Sequence, residues 1–89
     1  MRVIFRKCER EFEGEIEAIL IDNLTNSFQQ GRMYDCFSVK EGHNKASVDW
    51  ILQETTPATS EEYAETLYSM KMVGYTDLTI IKNLRGVKL

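Results

Sequence analysis

Pro57-Ala58-Thr59-Ser60-Glu61-Glu62-Tyr63-Ala64-Glu65-Thr66-Leu67-Tyr68-Ser69-Met70-Lys71-Met72-Val73-Gly74-Tyr75 is the stretch from which the rest of the fold is read. Pro57 blocks any helix from running through it, because its ring pushes the preceding residue out of the helical region. Thr59-Ser60-Glu61-Glu62 then spells a capping box: the Thr59 hydroxyl accepts from the Glu62 amide, and the Glu62 carboxylate reaches back. Glu61 and Glu62 also complement the positive end of the helix dipole. Tyr63, Leu67 and Met70 stack on one face at helical spacing, with Ala64 and Val73 beside them. Gly74 stops the helix in a left-handed cap and places Tyr75 against Met70. The spacing therefore predicts a helix from Ser60 to Val73.

Upstream of this helix the periodicity changes from helical to alternating. Arg2 to Cys8 is rich in strand formers, with Val3 and Phe5 on one face and Ile4 and Arg6 on the other. A charged connection follows, and Gly14 can supply the positive backbone dihedral of a hairpin. Glu15 to Ile21 reads as the second strand, with Ile16, Ala18 and Leu20 on one face. Its other face is charged at Glu15 and Glu17 and apolar at Ile19 and Ile21. Residues Asp22 to Arg32 read as a long loop, anchored by Leu24 and Phe28 and closed by Gly31. Met33 to Lys40 forms the third strand, and Glu41-Gly42-His43-Asn44-Lys45 a polar turn.

Ser47 to Glu54 fits two periods. Val48, Trp50 and Leu52 alternate as in a strand, whereas Val48, Ile51 and Leu52 also suit a helix capped by Ser47. The helical reading is preferred because it turns Asp49 and Gln53 to solvent together. Downstream, Asp77 to Leu84 reads as the last strand, with Leu78, Ile80 and Leu84 inward. The expected class is α+β: a three-stranded antiparallel meander, a short helix, the capped helix, then a final strand joining the sheet. That makes a four-stranded sheet with its helices on one face and a single domain over residues 1–89. If the last strand joins the first, the two run parallel.

Composition supports a globular chain. Hydrophobic residues make up 43% of its 89 positions and charged residues 28%, a balance wrong for disorder. So short a chain has little core, and the composition permits a homodimer that would bury a further face. The net charge is -3, from 14 acidic and 11 basic residues. Scattered basic residues disfavour phosphate-backbone binding, which draws its affinity from clustered Lys and Arg. Met1 to Arg6 is charged at residues 2 and 6, unlike an export signal. No apolar run approaches the ~20 residues of a membrane span. The expected compartment is the cytoplasm, with Cys8 and Cys36 as buried thiols.

Candidate chemistry is sparse. His43 is the sole histidine, and a polar site of His43 with Asp49 is the most that its neighbourhood offers. Strand alternation sends Cys36 to one face without bringing it to His43, so no catalytic pair is read. Two cysteines and one histidine do not make a structural zinc site, and the isolated glycines spell no nucleotide loop. No catalytic, metal or cofactor residues are assigned. The alternating glutamates from Glu9 to Glu17 read as a solvated edge that discourages sheet-to-sheet pairing. The aromatics are more informative. Tyr34, Trp50, Tyr68 and Met72 are the residue types that protein interfaces favour, and Tyr68 falls on the helix face away from Tyr63.

Thr56-Pro57-Ala58-Thr59-Ser60-Glu61-Glu62-Tyr63, continued by Gly74-Tyr75 and Asp77-Leu78-Thr79-Ile80-Ile81-Lys82, resembles the C-terminal half of certain small bacterial proteins. These are uncharacterised and often encoded in prophages and other mobile elements. Their start resembles Met1-Arg2-Val3-Ile4-Phe5-Arg6-Lys7, with a turn like Gly42-His43 ahead of the Trp50 segment. The resemblance implies an accessory protein and transfers no catalytic residue. The leading expectation is a non-enzymatic interaction protein acting through protein contacts, with a homodimer permitted. A nucleic-acid-associated regulator using an open sheet face is the alternative. It requires Arg2, Arg6, Lys40, Lys82 and Arg85 to converge among exposed aromatics such as Phe5 or Tyr34. A small enzyme centred on His43 ranks last.

Overall fold

The computed structural model describes residues 1–10, 12–27 and 31–85. Among these the elements in order are β1 (Arg2–Cys8), β2 (Ile16–Ser27), β3 (Gly31–Ser38), β4 (Gly42–Ser47), α1 (Val48–Glu54), β5 (Thr55–Pro57), α2 (Ser60–Met72) and β6 (Thr79–Ile81). The class is α+β: an open, mostly antiparallel sheet of six strands with two helices. The sheet runs β4-β3-β2-β1-β5. β6 lies parallel to the first half of β1, pairing Arg2 with Thr79 and Ile4 with Ile81. β5 lies antiparallel to its second half, pairing Arg6 with Pro57 and Cys8 with Thr55. One edge of β1 thus serves two short strands end to end.

The meander of the first three strands and the parallel last strand follow the alternation and the crossover. Two further strands do not. Glu41–Lys45 is expected as a polar turn, but Gly42–Ser47 forms β4, which pairs antiparallel with β3 from Met33/Ser47 to Ser38/Gly42. It is an outer strand, so its polar side chains stay wet while its backbone completes the ladder. Thr55–Pro57 forms β5, where Pro57 sits at an edge and leaves no interior amide unpaired. The long loop expected over 22–32 is largely strand: β2 continues to Ser27 through a register shift between Leu20 and Leu24. Leu24 is exposed rather than anchored in the core, and Phe28 lies outside the described residues. At the other end the last strand shortens to Thr79–Ile81.

The helices lie on opposite faces of the sheet, which corrects the expectation of one covered face. Val3, Phe5, Ala18, Leu20 and Phe37 pack with Met70 of α2, joined by Tyr63 and Leu67. Ile4, Ile19, Ile21, Tyr34, Cys36 and Ala46 pack with Ile51 of α1. The cause is legible in β1, where Val3, Ile4 and Phe5 are buried in succession. A strand buried on both faces loses the apolar-polar alternation. Leu78 and Ile80 join the α2 side, whereas Ile81 and Leu84 join the α1 side.

Both helices end as their residues dictate. Ser47 caps α1 by accepting from the Trp50 amide at 3.1 Å, so the Ser47–Glu54 segment resolves as helix. In α2, Thr59 Oγ1 accepts from the Glu62 amide at 3.3 Å, and Glu62 Oε1 accepts from the Thr59 amide at 2.9 Å. At the other end Gly74 has φ +110°. The Tyr75 amide donates to Met70 O at 3.0 Å and the Gly74 amide to Lys71 O at 3.2 Å, the paired bonds of a Schellman motif. Thr66, not Ala64 or Val73, completes the buried face of α2. At 3.6 residues per turn, Tyr63, Thr66, Leu67 and Met70 fall in one sector. Thr59→Ala should cost about 1 kcal/mol of unfolding free energy in urea titrations, and an unchanged midpoint would show that the cap is idle.

Candidate functional site

Two regions combine exposed or unsatisfied groups: the outer face of α2 and a cleft beside α1. On α2 the apolar residues opposite the buried sector stay in solvent, with Tyr68 64% and Met72 68% exposed, and Val73 beside them also exposed. Ala64 is exposed one turn earlier, so Ala64, Tyr68 and Met72 make a stripe at successive four-residue intervals. Nothing folds over it from α1, because α1 sits on the other side of the sheet. The inner side of the same helix is held firmly. The Tyr63 ring stacks on Phe5 at 4.2 Å between centroids, and Glu62 Oε2 pairs with Lys7 Nζ at 2.8 Å.

The other two residues expected at a contact surface lie elsewhere. Tyr34 is 1% exposed and belongs to the core under α1. Its position on β3 faces inward beside Cys36, and interior packing claims both. Trp50 is half-buried on α1 and lines the cleft described below. Tyr34, Trp50, Tyr68 and Met72 therefore do not form one patch.

His43 and Asp49 are separated by the sheet. His43 stands on β4 opposite Phe37, with its ring 5.6 Å from that of Phe37. Its Nε2 is 3.2 Å from the Tyr75 hydroxyl, so it faces the α2 side. Asp49 is exposed in the first turn of α1. Cys36 pairs in register with Asn44 rather than His43, and its thiol donates to Tyr34 O at 3.4 Å. Burial pushes the Cys36 thiol pKa up, which opposes nucleophilic use. Neither cysteine forms a disulfide, and both are buried.

Three of the residues named for nucleic-acid contact, Phe5, Arg6 and Tyr34, are withdrawn from the surface. Phe5 and Tyr34 are buried, so neither ring is presented for stacking. Arg6 is buried too, its Nε bonded to Thr55 Oγ1 at 3.0 Å and its Nη2 to Thr55 O at 2.9 Å. Arg2 is tied to Asp22 at 2.8 Å. Helices cover the sheet face that this reading needs open.

Glu17 is the residue that sequence reasoning misplaced. It is not on a solvated edge: it is only 7% exposed, on the α1 side of β2 in line with Ile19. Its Oε2 is buried without a hydrogen-bond partner among the described residues, as is Oε1 of Glu15. Burial pushes the Glu17 carboxyl up to about 7, with Glu15 and Glu41 adding repulsion and a hydrogen bond from Asn44 acting against it. Arg6 stands directly opposite in the strand register, yet its guanidinium is turned to Thr55. The signal was present in the alternation: Glu17 shares its face with Ile19 and Ile21, and a carboxylate on an apolar face is the informative exception.

Glu17 lines a cleft of about 530 Å³ together with Glu15, Glu41, Asn44, Phe12 and Trp50. That volume is in the range of small-molecule sites. Among the described residues no group of three His, Cys, Asp or Glu side chains is placed to hold a metal ion. Nor is any helix among them long and apolar enough to cross a membrane. The described residues thus form an α+β fold with a mixed open sheet between two helices, an acidic cleft beside α1 and a bare face on α2. Comparison with models of protein families, with curated proteins and with solved structures finds no match.

Proposed function

We propose that this chain is a non-enzymatic interaction protein that works through protein contacts, and that its first contact is a second copy of itself. The observation that carries this reading is the bare Ala64–Tyr68–Met72 stripe on a helix whose other side is locked to the sheet. A two-fold interface must be self-complementary. Two α2 helices packed antiparallel about Tyr68 bring Ala64 of one copy to the level of Met72 of the other, small beside large. The same pairing brings Glu65 to the level of Lys71. A chain this small gains more than a large one from burying another face. The resemblance carried by Thr56–Tyr63 and Asp77–Lys82 supports a role as an accessory protein of phages or mobile elements.

Light scattering on a size-exclusion column tests the contact. The parent chain should elute with the mass of two copies at high concentration, and Met72→Glu should elute as one. A parent that stays monomeric up to ~1 mM, where contacts are worth only about 4 kcal/mol, overturns the reading. So does a Met72→Glu variant that still dimerises.

A further inference from the structure

The cleft beside α1 poses a separate question, because the Glu17 carboxyl on its floor, with Asn44 as its one neutral donor, keeps Oε2 buried without a partner among the described residues. A buried carboxylate oxygen without a donor costs free energy comparable to a lost charge-assisted bond. Proteins relieve that cost with a partner, a proton or a ligand. The protein's own cation nearest in register, Arg6, is spent on Thr55. Among the described residues the one basic residue lining the cleft is Lys45, and its ammonium is directed to Asp35 at 3.8 Å. Glu15 and Glu41 add negative charge to the same walls, and among the described residues no cationic donor reaches Glu17 Oε2. Asn44 and Ser47 are the neutral polar groups on the cleft walls, and the apolar part is made by Trp50 and Phe12, which supply aromatic surface, and by Met33, which supplies a thioether.

We propose that this cleft binds a small organic cation: a primary amine whose ammonium donates to Glu17 Oε2 and whose apolar body lies against Trp50. An ammonium supplies the missing donor and cancels the repulsion among the three glutamates. The aromatic face adds cation–π attraction and excludes water from the ion pair. A bare metal ion fits less well, because the carboxylates are not gathered into a ligand set. A neutral isostere would satisfy the apolar wall and leave the carboxylates uncompensated. The site is independent of the α2 face, which lies across the sheet.

Trp50 is the sole tryptophan, so its fluorescence reports directly on the cleft. Phenethylammonium should produce a saturable change, whereas phenethyl alcohol and phenylacetate, of similar shape, should not. Glu17→Gln, which keeps the size of the side chain, should weaken the amine at least tenfold while its thermal melt confirms a folded chain. Amide shifts in the parent should concentrate at Asn44, Ala46 and Ser47. The parent's affinity should also rise about tenfold from pH 6 to pH 8, as a carboxyl near 7 ionises. The groups on the surrounding elements that bear on this titration are Arg6 and Cys8 on β1, Glu15 beside β2, Cys36 on β3, Glu41 in the following turn and Lys45 on β4. No saturable response to the amine up to ~10 mM, weak even for a fragment, overturns the proposal. Equal binding of the alcohol, or undiminished binding by Glu17→Gln, does the same.

Discussion

Phe5→Ala should lower the unfolding free energy by about 4 kcal/mol, within the range for removing a buried aromatic ring. Phe5 is the joint between the central strand and α2. Its ring is buried among Val3, Leu20 and Phe37 and stacks at 4.2 Å on Tyr63. Deleting it removes apolar contact area and leaves a hole that Tyr63 cannot fill, because its backbone is held by the capping box one residue earlier. Domains of this size are stable by only about 5–15 kcal/mol, so the loss is a large share of the total. In thermal scans it corresponds to a midpoint lower by roughly 20 °C, taking several degrees per kcal/mol for a chain of this length. Urea titration of the parent, Phe5→Leu and Phe5→Ala measures the series. A cost below ~1.5 kcal/mol for the alanine, the size of a minor repacking change, would show that α2 does not depend on this stack.

The second large effect is a fall in stability as pH rises from about 4 to about 7. The folded Glu17 carboxyl sits at about 7, against an unfolded value of about 4.3. The folded state therefore holds a proton that the unfolded state gives up, and stability declines as pH climbs between those values. Above the folded value both states are ionised and the curve flattens. The decline is on the order of 3 kcal/mol. Glu62 acts in the opposite sense. Lys7 and the Thr59 amide pull its carboxyl down to about 2, so its stabilisation is present above the unfolded value and lost as pH falls through the folded one. Stability should peak between these limbs, near pH 4–5. Glu17→Gln should remove the upper limb alone and exceed the parent in melting temperature at pH 8. A parent melting temperature that holds steady from pH 5 to pH 7, or a glutamine variant that declines in parallel with it, would refute the assignment.

Both effects arise where the sequence and the tertiary structure part company. The capped helix was legible because its signals are local: Thr59 and Glu62 are three residues apart, and Gly74 terminates the turn that precedes it. The meander was legible for the same reason, since the strand-forming residues of Arg2–Cys8 and the alternation in the first part of β2 need no knowledge of distant residues. Strand β4 was not. Gly42 to Lys45 carries turn-forming and polar residues, and their fitness for an edge strand appears only when β3 supplies the ladder. The bare face of α2 was half legible. Tyr68 and Met72 share a side by helical arithmetic alone, but their exposure depends on α1 lying across the sheet.

Glu17 shows the division most clearly. Its place opposite Ala18 in the alternation put it on the face of Ile19 and Ile21, and that was readable from the chain. Whether the face was wet or covered was not. The run of glutamates from Glu9 suggested water, because a series of carboxylates is usually solvated. The structure packs α1 on that face and leaves Glu17 buried in the cleft beside it.

The sequence by itself determined the α+β class, the two ends of the capped helix, the pairing of the first three strands and the burial of both cysteines. These rest on periodicity and on hydrogen bonds between near neighbours, which a chain carries wherever it folds. Only the tertiary structure decided that the helices lie on opposite faces, that Tyr34 is core while Tyr68 is bare, and that Glu17 is sealed into a cleft. Those outcomes depend on which surfaces the crossover connections bring together, and burial is a property of the partner as much as of the residue. The capped helix that opened the reading holds in its inward half, where Tyr63, Leu67 and Met70 pack as the spacing requires. Its outward half, with Tyr68 and Met72, is left uncovered by the fold.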